Sequence, residues 1–262
     1  MKISEIARMI EDKCPLGYAF DRDNVGLIVG DCEKDASKIL VTCDVDEFVA
    51  QEAADIGADM IISHHPLMFN AIKHLNEDNP EQRALRILIK NDIAMYAAHT
   101  NLDVARGGLN DFMAEKLGLT DTEVIDFVCE RDGVAQGYGR MAKLEEKITL
   151  GELMERCKAD FDLDGGRYVG EKDDIISTVA VNTGGGAGIM DLCIEKHADV
   201  FITGDIKYNP ARDAYEHGMD LIDIAHYDTE KIVMEYFEKF FADTDLQIVK
   251  SKANKRIFKI FS

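Results

Sequence analysis

Tryptophan is absent from this 262-residue chain, proline occurs four times, and 30 basic residues face 50 acidic ones. No CxxC pair is present, and no apolar run approaches the roughly twenty residues needed to cross a bilayer. Each shortage excludes something. Without a long apolar run there is no membrane span to assign. A formal charge of −20 opposes the approach of a polyanion, which disfavours nucleic acid as a partner. The six cysteines (Cys14, Cys32, Cys43, Cys129, Cys157, Cys193) are scattered. The opening MKISEIARMIEDKC has helical spacing and does not read as a secretion signal. Reduced thiols in a cytoplasmic protein are the expectation.

What is present is a globular composition, 46% hydrophobic and 31% charged, with chain enough for one large or two modest domains. Ile3 to Asp12 reads as an amphipathic helix with Ser4 as N-cap. Val25 to Gly30 and Lys38 to Cys43 read as strands, Asp46 to Ile56 as a helix, and Asp59 to Ser63 as a buried strand. Strand, helix and strand in that order make a βαβ unit with parallel strands. A helix at Ala84 to Lys90, a strand at Ile93 to Ala98 and a helix at Leu109 to Leu117 continue the rhythm.

Three glycines between Phe127 and Gly139 then suggest a boundary or a strand bend. A second α/β pattern follows: helix Leu150 to Lys158, strand Ile175 to Asn182, helix Gly188 to His197 and strand Asp199 to Thr203. Leu221 to Ile224 reads as a strand, Thr229 to Phe241 as a helix, and Lys255 to Phe261 as a final strand. The expectation is an α/β fold of two lobes with parallel or mixed sheets flanked by helices. Residues 1–126 and 221–262 form the first lobe, and 127–220 form a second lobe inserted in it. ADMIISHH (58–65) and ADVFITGD (198–205) follow similar elements at similar offsets, which fits either a duplication or two α/β units obeying the same rules.

Four apolar strands run into polar clusters: His64-His65-Pro66, His99-Thr100-Asn101-Leu102-Asp103, Asp205 with Lys207, and His226-Tyr227-Asp228-Thr229-Glu230. Ligands of parallel α/β sheets bind beyond the carboxyl ends of the strands. Imidazoles and carboxylates are donors for first-row divalent metals. Adjacent His64 and His65 on an extended backbone point opposite ways, so at a strand end they suit two neighbouring ions. His226 and Glu230, four apart, share one face if helical, which lets Glu230 bridge two ions and His226 cap one. Asp103 completes the set. His99 reads as a hydrogen-bonding partner that orients Asp103. Asn182 to Gly188 (NTGGGAG) reads as a tight turn, with an anion contact left open. Thr203, Asp205, Lys207 and Tyr227 are candidates to face a substrate or steady a ligand, with Lys207 suited to a phosphate.

In that order SHHPLMF (63–69), HTNLDVARGGLND (99–111), TGDIKY (203–208) and AHYDTE (225–230), preceded by DNVGLIVG (23–30), resemble the motif set of the NIF-three-like dinuclear metal-binding family. Its members are often labelled GTP cyclohydrolase I type 2 homologues. The resemblance implies a two-lobed α/β protomer assembled as a toroidal homohexamer. It places two divalent ions per protomer (Fe, Mn, Zn or Co) on His64, His65, Asp103, His226 and Glu230, with Glu230 bridging. Two positions depart from the pattern: Arg22 stands where Trp is usual, and Ala225 where Gly is usual.

The expected function is a dinuclear divalent-metal protein that acts as a hydrolase, GTP cyclohydrolase-like or a phosphoesterase, through a metal-bridging water on a small phosphate-bearing or nucleotide ligand. The alternative is a non-enzymatic metal-binding or regulatory ring serving storage, delivery or partner docking. No catalytic residue is assigned.

Overall fold

Apolar strands separated by helices build two sheets, described here by a computed structural model over residues 1–259. The chain divides into two compact units, Met1–Leu102 with Val233–Ile257, and Asp103–Ile232 with Phe258 and Lys259.

The first unit opens with α1 (Ile3–Lys13), which buries Ile3, Ile6, Ala7 and Ile10. Lys2 rather than Ser4 is its N-cap, and the Lys2 N–H donates to the Glu5 carboxylate at 2.8 Å. Strands β1 (Gly26–Val29) and β2 (Lys38–Thr42) follow. Asp46 caps α2 (Glu47–Asp55) by accepting from the Val49 N–H at 2.8 Å. The all-buried strand β3 (Met60–Ser63) comes next. Asn79 caps α3 (Pro80–Lys90), which has Pro at its first position, where a missing N–H costs nothing. Strand β4 (Ala94–Ala97) leads into the short helix α4 (Thr100–Val104), within which the first unit ends. Strands β2, β3 and β4 are parallel, and β1 lies antiparallel on β4. Leu40, Ile61 and Met95 from these strands pack with Val49 of α2 and Leu85 and Leu88 of α3. Each such side chain taken from water contributes about 1.5–3 kcal/mol.

The second unit begins with α5 (Leu109–Lys116) and the strands β5 (Glu123–Arg131) and β6 (Val134–Thr149). The glycine-rich stretch is therefore not a boundary, and a register shift between Phe127 and Cys129 marks the kind of irregularity expected of a strand bend. Asp132 and Gly133, both at positive φ, make the two-residue turn of a β5/β6 hairpin. Then come α6 (Leu150–Asp160), β7 (Arg167–Val169), β8 (Ile175–Gly185), α7 (Met190–Glu195), β9 (Val200–Gly204), α8 (Tyr208–Glu216), β10 (Asp220–Asp223) and α9 (His226–Glu230). The chain returns to the first unit through α10 (Val233–Phe240) and β11 (Gln247–Lys250), the latter parallel to β2.

Residues 103–126 and 221–232, expected in the first lobe, group with the second unit, because α5 packs on β6 and β8 and β10 pairs with β9. The helix expected over Thr229 to Phe241 is split between α9 and α10. The last strand is β11, not Lys255 to Phe261; residues 255–259 hold no strand, and 260 and 261 lie outside the described residues.

The sheets run β1-β4-β3-β2-β11 and β5-β6-β8-β9-β10-β7. Both contain one design, three parallel strands with an antiparallel edge, β4-β3-β2 edged by β1 and β10-β9-β8 edged by β7. The likeness reaches single hydrogen bonds. Asp59 before β3 accepts from Ser37 and Lys38 N–H at 2.8 and 3.0 Å, and Asp199 before β9 accepts from Ser177 and Thr178 N–H at 2.8 and 2.7 Å. Among the described residues all six cysteines are free thiols, and no helix is long and apolar enough to cross a membrane.

Candidate metal centre

In the first unit β3 and β4 are parallel neighbours, so the residues after Ser63 and Ala97 emerge at the same sheet edge. His64 and His65 do not point opposite ways. Ser63 Oγ donates to the His65 carbonyl at 2.7 Å, the backbone bends, and the two rings lie 5.1 Å apart at 42°. The His99 ring is 5.2 Å from each, and ring nitrogens of all three lie within 4.8 Å of one another.

The Nδ1 partners of these rings share one chemistry. His64 Nδ1 is 2.9 Å from the Ala98 carbonyl, His65 Nδ1 2.8 Å from Asp44 Oδ1, and His99 Nδ1 2.9 Å from Asp23 Oδ1. Carbonyls and carboxylates only accept, so each neutral ring carries its proton on Nδ1 and its lone pair on Nε2. Oxygen acceptors behind imidazoles are what orients and strengthens histidine metal ligands. His99 is held by Asp23, not by Asp103 as expected. Burial pushes the Asp23 carboxyl up, but its bonds from His99 and Thr100 outweigh this and hold it well below the usual carboxylate range.

In the second unit residues 103–111 are tied down by Asn110, Thr183 and Arg140. Asn110 Nδ2 donates to the Asp103 carbonyl, and Asn110 Oδ1 accepts from the Thr183 N–H. Thr183 Oγ1 in turn donates to Asp103 Oδ1 at 3.1 Å. The fully buried guanidinium of Arg140 bonds the carbonyls of Ala105, Gly137 and Gly139, and meets Asp111 at 2.8 Å. A buried cation with that many oxygen partners fixes the turn that follows Asp103.

Next along β8, Gly184 has φ +67, and its N–H donates to Thr229 Oγ1 at 2.7 Å. A Cβ at this position would stand 2.3 Å from Glu230 Oε1 and 3.3 Å from His226 Nε2, so only glycine fits. On α9 the i,i+4 spacing brings His226 Nε2 to 3.0 Å from Glu230 Oε2, while Asp205 Oδ2 accepts at 2.9 Å from Nδ1. The Glu230 bond foremost, opposed by burial and aided by the charges of Glu230 and Asp205, raises His226 to about 9. Both ring nitrogens of His226 thus face carboxylate oxygens, which favours the doubly protonated ring.

Thr203 is buried and does not face a ligand. It accepts from the Gly186 N–H and donates to the Gly184 carbonyl, clamping the tight turn. With the Gly184 and Gly186 amides so engaged, the NTGGGAG segment serves as a turn. Lys207 is exposed and lines a cavity of about 250 Å³ with Arg167 and Tyr208. Tyr227 is half-buried, and Arg22 is exposed. Asp44, Asp23 and Thr183 join the candidate set, all beside motif residues.

The Duf34/NIF3 (NGG1p interacting factor 3) model matches residues 1–256. A "GTP cyclohydrolase 1 type 2 homolog" from Clostridium perfringens is 36% identical over 262 residues, covering 99% of each chain. One of the same description from Lactococcus lactis is 37% identical over 230 residues, covering 87% of this chain and 86% of its own. The crystal structure of a Bacillus cereus protein related to NIF3 superposes with a TM-score of 0.92 at 27% identity, over 100% of this chain and 99% of that one.

Proposed function

Since the chain belongs to the Duf34/NIF3 family, we propose that it binds two divalent cations through His64, His65, Asp103, His226 and Glu230 and uses them in hydrolysis. One observation carries the metal reading: four candidate imidazoles (His64, His65, His99 and His226) each have Nδ1 against an oxygen acceptor. Three carbonyl- or carboxylate-backed rings grouped in one unit, and a His–Glu pair beside a carboxylate-anchoring threonine in the other, are donor sets for first-row metals rather than for Mg or Ca alone. When bound, such ions activate water and polarise a substrate oxygen.

The chain's own residues do the rest. Asp23 and Asp44 hold their imidazoles in one tautomer, Asp205 fixes the His226 ring through Nδ1, and Thr183 and Asn110 hold Asp103. His226 Nε2 and the Glu230 carboxylate, now paired at 3.0 Å, are the groups of α9 that would hold an ion. Lys207, beside a small cavity, supplies positive charge for a phosphate-bearing ligand in an otherwise acidic protein. The relatives' description as GTP cyclohydrolase homologues motivates GTP as the first substrate to try, with a homohexamer as the assembly.

The test is metal-loaded protein (Mn, Fe, Zn and Co in turn) incubated with GTP and with generic phosphoesters, with products followed by mass spectrometry. Turnover lost in Glu230→Gln supports the hydrolase. Full metal uptake with no turnover supports the non-enzymatic metal-binding ring instead.

A further inference from the structure

Strand β11 is parallel to β2, so the residues after it arrive where β2 ends and Cys43 and Asp44 leave the sheet. Ser251 continues the pairing, its N–H donating to the Val41 carbonyl at 2.9 Å. The next residues are fastened to α2. The Glu52 carboxylate accepts from Ser251 Oγ at 2.5 Å, Lys252 N–H at 2.8 Å and Ala253 N–H at 3.1 Å, and the Asn254 N–H closes the turn on Ser251 Oγ. That leaves the Asn254 amide against the end of β2. Its Oδ1 accepts from the Cys43 N–H at 3.2 Å, and its Nδ2 donates to Asp44 Oδ2 at 3.4 Å. The other Asp44 oxygen accepts from His65 Nδ1 at 2.8 Å.

We propose that the segment 251–254 is a positioning element for a metal ligand, with Asn254 orienting Asp44 and Asp44 orienting His65. This rests on His65 binding a metal ion. The Asp44 side chain is half exposed, so solvent alone does not fix its rotamer. A donor on Oδ2 holds the plane of the carboxylate, and Oδ1 then faces the imidazole. Glu52 holds this segment with three bonds, and the residue it delivers reaches Asp44 across 210 positions of sequence.

Zn²⁺ affinity of the metal-stripped full-length protein, measured against a competing chelator, tests this alongside the thermal midpoint of each metal-free variant. Asp44→Asn lowers affinity about 10–100-fold, the range for losing a carboxylate behind a metal-bound histidine, and Asn254→Ala lowers it in the same direction by a smaller factor. Asn254→Asp keeps the acceptor for Cys43 but faces Asp44 with a like charge, and it loses affinity as Asn254→Ala does. In a His65→Ala background Asn254→Ala costs nothing further. Wild-type affinity in Asn254→Ala, or in Asn254→Asp alone, overturns the inference while leaving metal binding standing. An equal loss with His65 already removed also overturns it, since Asn254 then acts by another route. A wild-type protein that takes up no Zn²⁺ overturns the metal reading and this inference together.

Discussion

His226 Nε2 and Glu230 Oε2 lie 3.0 Å apart, one helical turn from each other on α9, and that contact makes the histidine a stronger base. Its folded value of about 9 stands above the ordinary 6.5. The stabilisation is therefore fully present below pH 6.5 and is lost as pH rises through about 9. In the metal-free protein Glu230→Gln lowers the thermal midpoint at pH 6 and makes little difference at pH 10. The loss is about 1 kcal/mol after solvent screening of the partly exposed histidine against a buried carboxylate, or about 2–4 °C. A midpoint difference that stays constant from pH 6 to 10 contradicts this.

Gly184 admits the Glu230 carboxylate because it has no side chain. Gly184→Ala forces the carboxylate to move and places alanine at φ +67, for a loss of about 1–3 kcal/mol of stability. Calorimetric titration with Mn²⁺ should also show at least tenfold weaker binding, since the displaced group is a proposed ligand.

Ala225 is held at φ 70, ψ 150, a region essentially reserved for glycine. Ala225→Gly relieves that strain and, after the extra chain entropy of glycine, stabilises by about 1 kcal/mol. The thermal midpoint rises a few degrees, with metal affinity unchanged. A lower midpoint would mean that Ala225 carries packing that outweighs its backbone. The position is exposed, which argues against that.

Asp220 is pushed up to about 6 by burial and then by the charges of Asp174 and Asp199. A carboxyl raised above its unfolded 3.8 adds stability below that pH and loses it as pH rises through about 6. Asp220→Asn removes the repulsion, so it raises the midpoint by about 2–4 °C at pH 7.5 for about 1 kcal/mol, discounted for exposure, and by nothing at pH 4. Differential scanning fluorimetry at the two pH values checks it.

Much of this molecule is legible in the residues themselves. The parallel core shows because β2, β3 and β9 are short apolar runs between polar punctuation, and the pairing of His226 with Glu230 follows from helical spacing alone. The β5/β6 hairpin is harder to see, because its distal half is exposed and does not alternate, although Asp132-Gly133 is a hairpin signal in itself. The shared direction of the His64 and His65 rings depends on a bend set by Ser63 Oγ, which period-two reasoning cannot supply. Asp44 stands at the end of a strand and is within reach of the rule that found His64. Asn254 is not, since nothing near it in sequence refers to the residue it touches 210 positions away.

The proposed ligand set is tested most directly by counting metal ions bound per chain, by elemental analysis of protein stripped, reloaded and desalted. Two divalent ions per wild-type chain are expected, with a lower count in His64→Ala and in Glu230→Gln while both variants keep the wild-type circular dichroism. A wild-type chain that retains none, or variants that retain both, would contradict it.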